Sequence, residues 1–175
     1  MPELQLLDYL PSVPDFPQPG IVFRDICPLL ADAAAFAHAI GLMAERVHGW
    51  TFDHVVGIES RGLIFATALA TRMRLGLVLV RKPGKLPPPT MREAYDLEYG
   101  QDALEIQRGR LPPSASVLLV DDVIATGGTL RAAARLAEKC GARVQGAVAL
   151  LSLEKLGGAD ALRRTGLRVT SALQA

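Results

Sequence analysis

The stretch Val117-Leu118-Leu119-Val120-Asp121-Asp122-Val123-Ile124-Ala125-Thr126-Gly127-Gly128-Thr129 decides the fold. Its first four residues are a continuous apolar run, the pattern of a strand buried on both faces of a parallel sheet. Asp121 and Asp122 stand where such a strand would end. Ala125 to Thr129 then supply small residues, permissive glycines and hydroxyls just ahead of a helix, where backbone N–H groups and the helix N-terminus favour an anion. Two carboxylates beside a phosphate cradle would repel the phosphate, so they call for another partner. Ribose hydroxyls or the shell of a Mg²⁺ ion are the natural candidates, and together the elements point to a sugar phosphate.

Other phosphate loops do not fit the stretch. A Walker A loop ends in Gly-Lys-Ser/Thr and a dinucleotide fingerprint needs three glycines at fixed offsets; neither is present. An ordinary strand-turn-helix, with Asp122 and Thr126 serving only as caps, would not call for paired carboxylates, paired hydroxyls and paired glycines together.

Outward from this stretch the pattern is strand and helix in alternation. Asp32 is a good N-cap for a helix whose stripe is Phe36, Ile40, Met43 and Val47, with His38 on the opposite face. His54 to Ile58 forms a strand, Gly62 to Met73 a helix and Leu77 to Arg81 a strand. A proline-rich stretch from Lys82 to Met91 interrupts, followed by Glu93 to Tyr99 and Ala103 to Gln107, which alternate like a hairpin joined through Gly100. After the Val117 strand come a helix to Cys140 stopped by Gly141, a strand from Arg143 to Leu151 and a last strand near Leu167 to Thr170. The N-terminal segment pairs a short helical pattern, Glu3 to Leu10, with Pro11, Pro14, Pro17 and Pro19, an irregular arm closing at Gly20. The fold class is therefore α/β, a central mostly parallel sheet flanked by helices. Right-handed crossovers bring Glu59 to Gly62, Lys82 to Lys85 and Asp121 to Thr129 to one carboxyl edge.

Composition narrows the class. The chain has 175 residues, half of them hydrophobic, and a formal net charge of +1. One domain with a sizeable core is expected. The near-neutral balance and the lack of a basic run argue against nucleic acid as a partner. Neither a charged-then-apolar leader nor a run of transmembrane length is present, so no membrane partner is expected and a cytoplasmic location is. Cys27 and Cys140 form no CxxC pattern and are expected to be buried thiols; His38, His48 and His54 lack neighbours at metal-ligand spacing.

On the same edge, Ser60, Arg61 and Gly62 make a short strand-to-helix turn suited to a second anion, and Arg81, Lys82 and Lys85 cluster around Gly84. For Lys85 a solvated surface charge is the competing reading. Two anion sites flanking an acidic pair suit a molecule with a 5'-phosphate, a diol and a 1-pyrophosphate.

The Val117 to Thr129 string resembles the signature of the type I phosphoribosyltransferases, which bind 5-phosphoribosyl-1-pyrophosphate. Phe16 to Ile26 (FPQPGIVFRDI), Glu59 to Gly62 (ESRG), Arg81 to Pro87 (RKPGKLP) and Tyr95 to Gly100 (YDLEYG) resemble the adenine-using branch of that family, from about Phe16 to Leu153. The resemblance implies one phosphoribosyltransferase domain over 1–175, with an N-terminal hood arm (1–31) and a mobile loop and hairpin (82–107). It implies transfer of the phosphoribosyl group to adenine, giving AMP and pyrophosphate in purine salvage. Val22, Phe23 and Arg24 would read adenine, Ser60, Arg61, Lys82 and Lys85 would contact pyrophosphate, and Arg81 would be a further substrate-binding residue of the same loop. Asp121 and Asp122 would hold the ribose hydroxyls, and Ala125, Thr126, Gly127, Gly128 and Thr129 the 5'-phosphate. Glu98, with Tyr99, would close over the sugar, Glu98 being the catalytic candidate for adenine's proton; a solvated hairpin carboxylate is its plainer alternative. Mg²⁺, held mainly by phosphoribosyl pyrophosphate and water, is the implied cofactor, and a homodimer the implied assembly. Another purine as acceptor, or a non-catalytic sensor of phosphoribosyl pyrophosphate, are the other readings; a sensor would be expected to carry an appended nucleic-acid-binding element. Departures from the family pattern are Glu59 for aspartate, Cys27 for serine or threonine and Pro88 for glycine, the last within Pro87 to Pro89.

Overall fold

The computed structural model describes residues 5–96 and 101–175. It divides into two compact units, Met1–Leu42 and Met43–Ala175.

In the first unit a 3₁₀ turn (Leu6–Tyr9) precedes two short antiparallel strands, β1 (Ser12–Pro14) and β2 (Val22–Arg24), with Val13 opposite Phe23. Asp15 takes the left-handed conformation at the turn and its carboxylate accepts the Gly20 N–H at 2.8 Å. Phe16 packs edge-on against Phe23, ring centroids 5.1 Å apart, and the Arg24 guanidinium donates to the Leu10 carbonyl at 3.1 Å. The prolines expected to give an irregular arm thus fall before, within and between the strands of a small ribbon, because Val22 to Arg24 supplies the extended partner that Ser12 to Pro14 needs. Helix α1 (Cys27–Ala31) follows, with Cys27 exposed rather than buried. The expected Asp32 cap holds: its carboxylate accepts the Ala35 N–H at 2.9 Å at the start of α2 (Ala33–Arg46).

The second unit is built on a seven-stranded sheet ordered β5-β6-β4-β3-β7-β8-β9. Its strands are β3 (His54–Ile58), β4 (Gly76–Arg81), β5 (Thr90–Asp96), β6 (Gln101–Gln107), β7 (Ser116–Ile124), β8 (Arg143–Ser152) and β9 (Val169–Gln174). Strands β4, β3, β7, β8 and β9 run parallel, and the β5–β6 hairpin adds two antiparallel pairings at the β4 edge. The expected hairpin is therefore an extension of the sheet, since Val80 pairs with Ile106 and both are fully buried.

Three further helices complete the unit: α3 (Gly62–Met73), α4 (Gly128–Lys139) and α5 (Gly158–Arg164). Leu130, Ala133, Leu136 and Ala137 of α4 join Val56, Ile58, Val117 and Leu119 in one core. Helix α3 buries Phe65, Ala66 and Leu69 and packs against β3, β4 and β7. Strand alternation puts Val55, Leu118 and Val120 on the face opposite Val56 and Leu119, so both faces of the sheet are covered.

Several boundaries differ from the sequence pattern, those of β7 and β9 among them. β7 does not stop at Asp121 but continues to Ile124, because β8 pairs on beside it, Asp121 with Ala149 and Val123 with Leu151. β9 lies further along than Leu167 to Thr170 and reaches Gln174, pairing Val169 with Ala147 and Gln174 with Ser152.

Candidate functional site

The carboxyl ends of β3, β4 and β7 meet at a cavity of about 400 Å³ in the second unit. Its walls include Ser60 and Arg61 from the turn after β3, Lys82 from the loop after β4, Asp121 and Asp122 from β7, and Ala125, Thr126, Gly127, Gly128 and Thr129 around the start of α4. Ten of the residues expected to bind substrate are thereby brought together. Arg81 and Lys85 stand outside that lining. Val22, Phe23 and Arg24 belong to the first unit, and Glu98 and Tyr99 lie outside the described residues.

The phosphate cradle is built by backbone. Gly127 takes φ +83°, ψ 2° ahead of α4, and its carbonyl accepts the Arg131 N–H at 3.0 Å. The first N–H groups of α4 have no carbonyl one turn earlier, so they remain donors for an anion at the cavity. Behind the loop sits Gly158, whose N–H donates to the Ala125 carbonyl at 3.1 Å. A Cβ on Gly158 would stand 2.1 Å from that same oxygen and 2.6 Å from the carbonyl carbon of Thr126. The resemblance carried by the motifs ends near Leu153, so nothing in it points to this brace.

The acidic pair is buried, Asp121 and Asp122 each being 7 % exposed. Asp122 Oδ2 meets Arg61 Nη2 at 2.8 Å, and Asp121 Oδ1 accepts the Asp122 N–H at 2.9 Å. Burial, reinforced by the neighbouring Asp122 charge, pushes the Asp121 carboxyl well above the usual carboxylate range. The turn that carries Arg61 can come this close only because residue 62 lacks a side chain: a Cβ on Gly62 would be 2.6 Å from Asp121 Oδ1 and 2.9 Å from Asp121 Cα.

Glu59 organises the basic loop. Its carboxylate accepts Arg81 Nη2 at 3.0 Å and the Lys82 N–H at 2.7 Å, while its own N–H donates to the Val80 carbonyl at 2.9 Å. Burial pushes this carboxyl up, but the Lys82 N–H and the Arg81 guanidinium outweigh it and hold it below its ordinary value. Arg81 also donates to the Lys85 carbonyl at 3.2 Å, folding the loop back around Gly84. Arg81 thus serves as a strut for the loop in this geometry.

Tyr95 and Asp102 also line the cavity. They face each other across the hairpin, and Asp102 Oδ2 accepts both the Tyr95 hydroxyl, at 3.2 Å, and the Lys82 ammonium. The pair follows from the register of the folded hairpin, which places Tyr95 opposite Asp102 just outside the expected Ala103 to Gln107 strand.

The site suits an elongated polyanion with a polar middle: backbone donors at one end, cations and a hydroxyl at the other, carboxylates between. Among the described residues no three His, Cys, Asp or Glu side chains are grouped to hold a metal ion. The oxygen donors of Asp121 and Asp122 suit a hydrated hard cation shared with an anionic ligand. No helix among the described residues is long and apolar enough to cross a membrane.

Sheet order, cradle and acidic pair define a phosphoribosyltransferase: residues 29–170, spanning parts of both units, match the phosphoribosyl transferase domain family. The chain is 53% identical to an adenine phosphoribosyltransferase of Polynucleobacter necessarius over 98% of its length and 99% of that protein. The adenine phosphoribosyltransferase structure from Thermoanaerobacter pseudethanolicus superposes with a TM-score of 0.94 at 40% identity, covering 98% of each chain. That of Saccharomyces cerevisiae, complexed with adenine and an imino-altritol bisphosphate, gives 0.88 at 35% identity and 97% coverage of each. The chain belongs to the adenine phosphoribosyltransferase family.

Proposed function

We propose that the protein transfers the 5-phosphoribosyl group of phosphoribosyl pyrophosphate to adenine, forming AMP and releasing pyrophosphate, as a purine-salvage enzyme. The observation that carries this reading is the single cavity in which the α4 cradle, the Asp121–Asp122 pair and the Ser60-Arg61/Lys82 wall converge. The 5'-phosphate sits on the N–H groups of Ala125 to Thr129, with the Thr126 and Thr129 hydroxyls beside them. Asp121 and Asp122 take the ribose hydroxyls as hydrogen-bond acceptors.

Displacement at the anomeric carbon passes through an oxocarbenium-like transition state, with negative charge growing on the leaving pyrophosphate. Arg61, Lys82 and the Ser60 turn stabilise that charge where it develops, and Lys85 adds a longer-range positive field. Asp121 or Asp122, together with the substrate and water, would help to hold Mg²⁺, whose charge would offset that growing on pyrophosphate. Val22, Phe23 and Arg24 contact adenine, in keeping with adenine in the yeast relative. Glu98 accepts or orients the proton that the attacking base loses, and Tyr99 closes with it over the sugar. The protein works in the cytoplasm as a homodimer, which light scattering tests.

The deciding experiment is an assay of AMP formation from adenine and phosphoribosyl pyrophosphate, with and without Mg²⁺, beside a panel of hypoxanthine, guanine and xanthine. Turnover confined to adenine and dependent on Mg²⁺ is expected; turnover on another base alone would replace the reading.

A further inference from the structure

The carboxylate of Asp102 faces a cavity whose other walls are arranged to bind anions. It is fixed there from its own hairpin: Oδ1 accepts the Ala103 N–H at 2.8 Å, and Oδ2 accepts the Tyr95 hydroxyl. Its charged partner is the Lys82 ammonium, which comes from a different loop, after β4. The Asp102 side chain is 21% exposed and that of Lys82 43%, so the pair lies at the cavity wall, partly shielded from water. A carboxylate in this position opposes a bound diphosphate, through direct repulsion and through competition for Lys82. It would be out of place unless its charge were useful when the diphosphate is absent.

We propose that Asp102 is the internal counter-ion of Lys82: the ammonium passes from Asp102 to the diphosphate on binding and returns to Asp102 as pyrophosphate leaves. The exchange keeps Lys82 paired in both states, so a partly desolvated ammonium is never left bare. It also weakens the hold on the departing product, because Asp102 recaptures the cation that holds it. Asp102 acts through Lys82 and is a positioning residue. The inference rests on the assignment of Lys82 to the pyrophosphate end of the substrate.

Calorimetry with inorganic pyrophosphate and Mg²⁺ tests it on the full chain, comparing wild type, Asp102→Asn, Lys82→Ala and the double variant. Removing the Asp102 charge is expected to tighten pyrophosphate binding by about two- to fivefold, the range of a partly exposed ion pair, with slower dissociation in stopped flow. A merely structural role would move affinity the other way. In the Lys82→Ala background the gain should shrink, since the competition has been removed. Equal or weaker binding by Asp102→Asn, or an undiminished gain without Lys82, would overturn the proposal. Asp102→Ala removes the same charge and repeats the comparison should the asparagine variant fold poorly. Absence of pyrophosphate binding by wild type and all variants would instead overturn the assignment of the site itself.

Discussion

Asp122 Oδ2 and Arg61 Nη2 stand 2.8 Å apart, tying the turn after β3 to the acidic end of β7. In the proposed reading the contact joins the sugar-diol part of the cavity to its pyrophosphate part, so one carboxylate would both grip hydroxyls and orient a cation. Asp122→Asn keeps the shape and removes the charge. Hydrogen bonds to charged groups contribute about 1.5–3 kcal/mol, so phosphoribosyl pyrophosphate should bind about ten- to a hundredfold more weakly by calorimetry. Wild-type affinity would remove Asp122 from the site.

Glu98 should separate chemistry from binding. Proton transfer by a positioned side chain contributes about 10²–10⁴-fold in rate. Glu98→Ala is therefore expected to lower kcat by about two orders of magnitude or more while phosphoribosyl pyrophosphate affinity stays near wild type. Unchanged turnover in steady-state kinetics would end the assignment.

Asp121 and Glu59 should give opposite pH signatures in the ligand-free protein. The Asp121 carboxyl is raised by folding, so its favourable contribution is complete at low pH and is lost as pH climbs through its folded value. Asp121→Asn should raise Tm at neutral pH, with the gain fading below about pH 4, where the unfolded chain also protonates. Glu59 is lowered by folding, so its contribution is present at neutral pH and lost as pH falls through its depressed value. Glu59→Gln should lower Tm at pH 7, the deficit closing in acid. Thermal melts of both variants from pH 3 to 8 check the crossing signs; parallel curves would show that folding does not shift the two carboxyls in opposite directions.

Gly158→Ala should damage phosphate binding without touching the phosphate. The added Cβ meets backbone, at 2.1 Å from the Ala125 oxygen, so the cradle itself has to move. Overpacking costs about 1–3 kcal/mol, and affinity for AMP should fall about tenfold or more while Tm falls modestly. Gly41→Ala, mid-α2 with no atom near its Cβ, is the matched control and should be neutral or stabilising.

Much of this arrangement was legible in the chain because apolar runs and stripes are read by period. Val117 to Val120 and His54 to Ile58 read as short buried strands between turn signals, and the longer α3 and α4 stripes as helices. The anion turns were legible because glycine, hydroxyl and cation types cluster there. What escaped depended on pairing in space. The extension of β7 through its own acidic pair is set by β8 alongside it, and carboxylates inside a strand contradict local propensity until Arg61 supplies their partner. Helix α5 has seven residues and begins beside Gly157, a local breaker signal, so nothing in its own window announces it. The Asp102–Lys82 contact joins residues 20 apart through the hairpin register, which only the folded sheet fixes.

The brace at Gly158 bears on how the sugar-phosphate grip could be moved to another protein. Gly127 is held left-handed with Gly158 O and Leu162 Cγ each 3.0 Å from where its Cβ would be. A graft of Val123 to Thr129 alone would carry the donors into a new sheet and leave behind the wall that shapes them. The portable module is discontinuous, the β7–α4 junction together with Gly157 to Leu162, and a designer who copies only the signature would inherit its letters without its curvature.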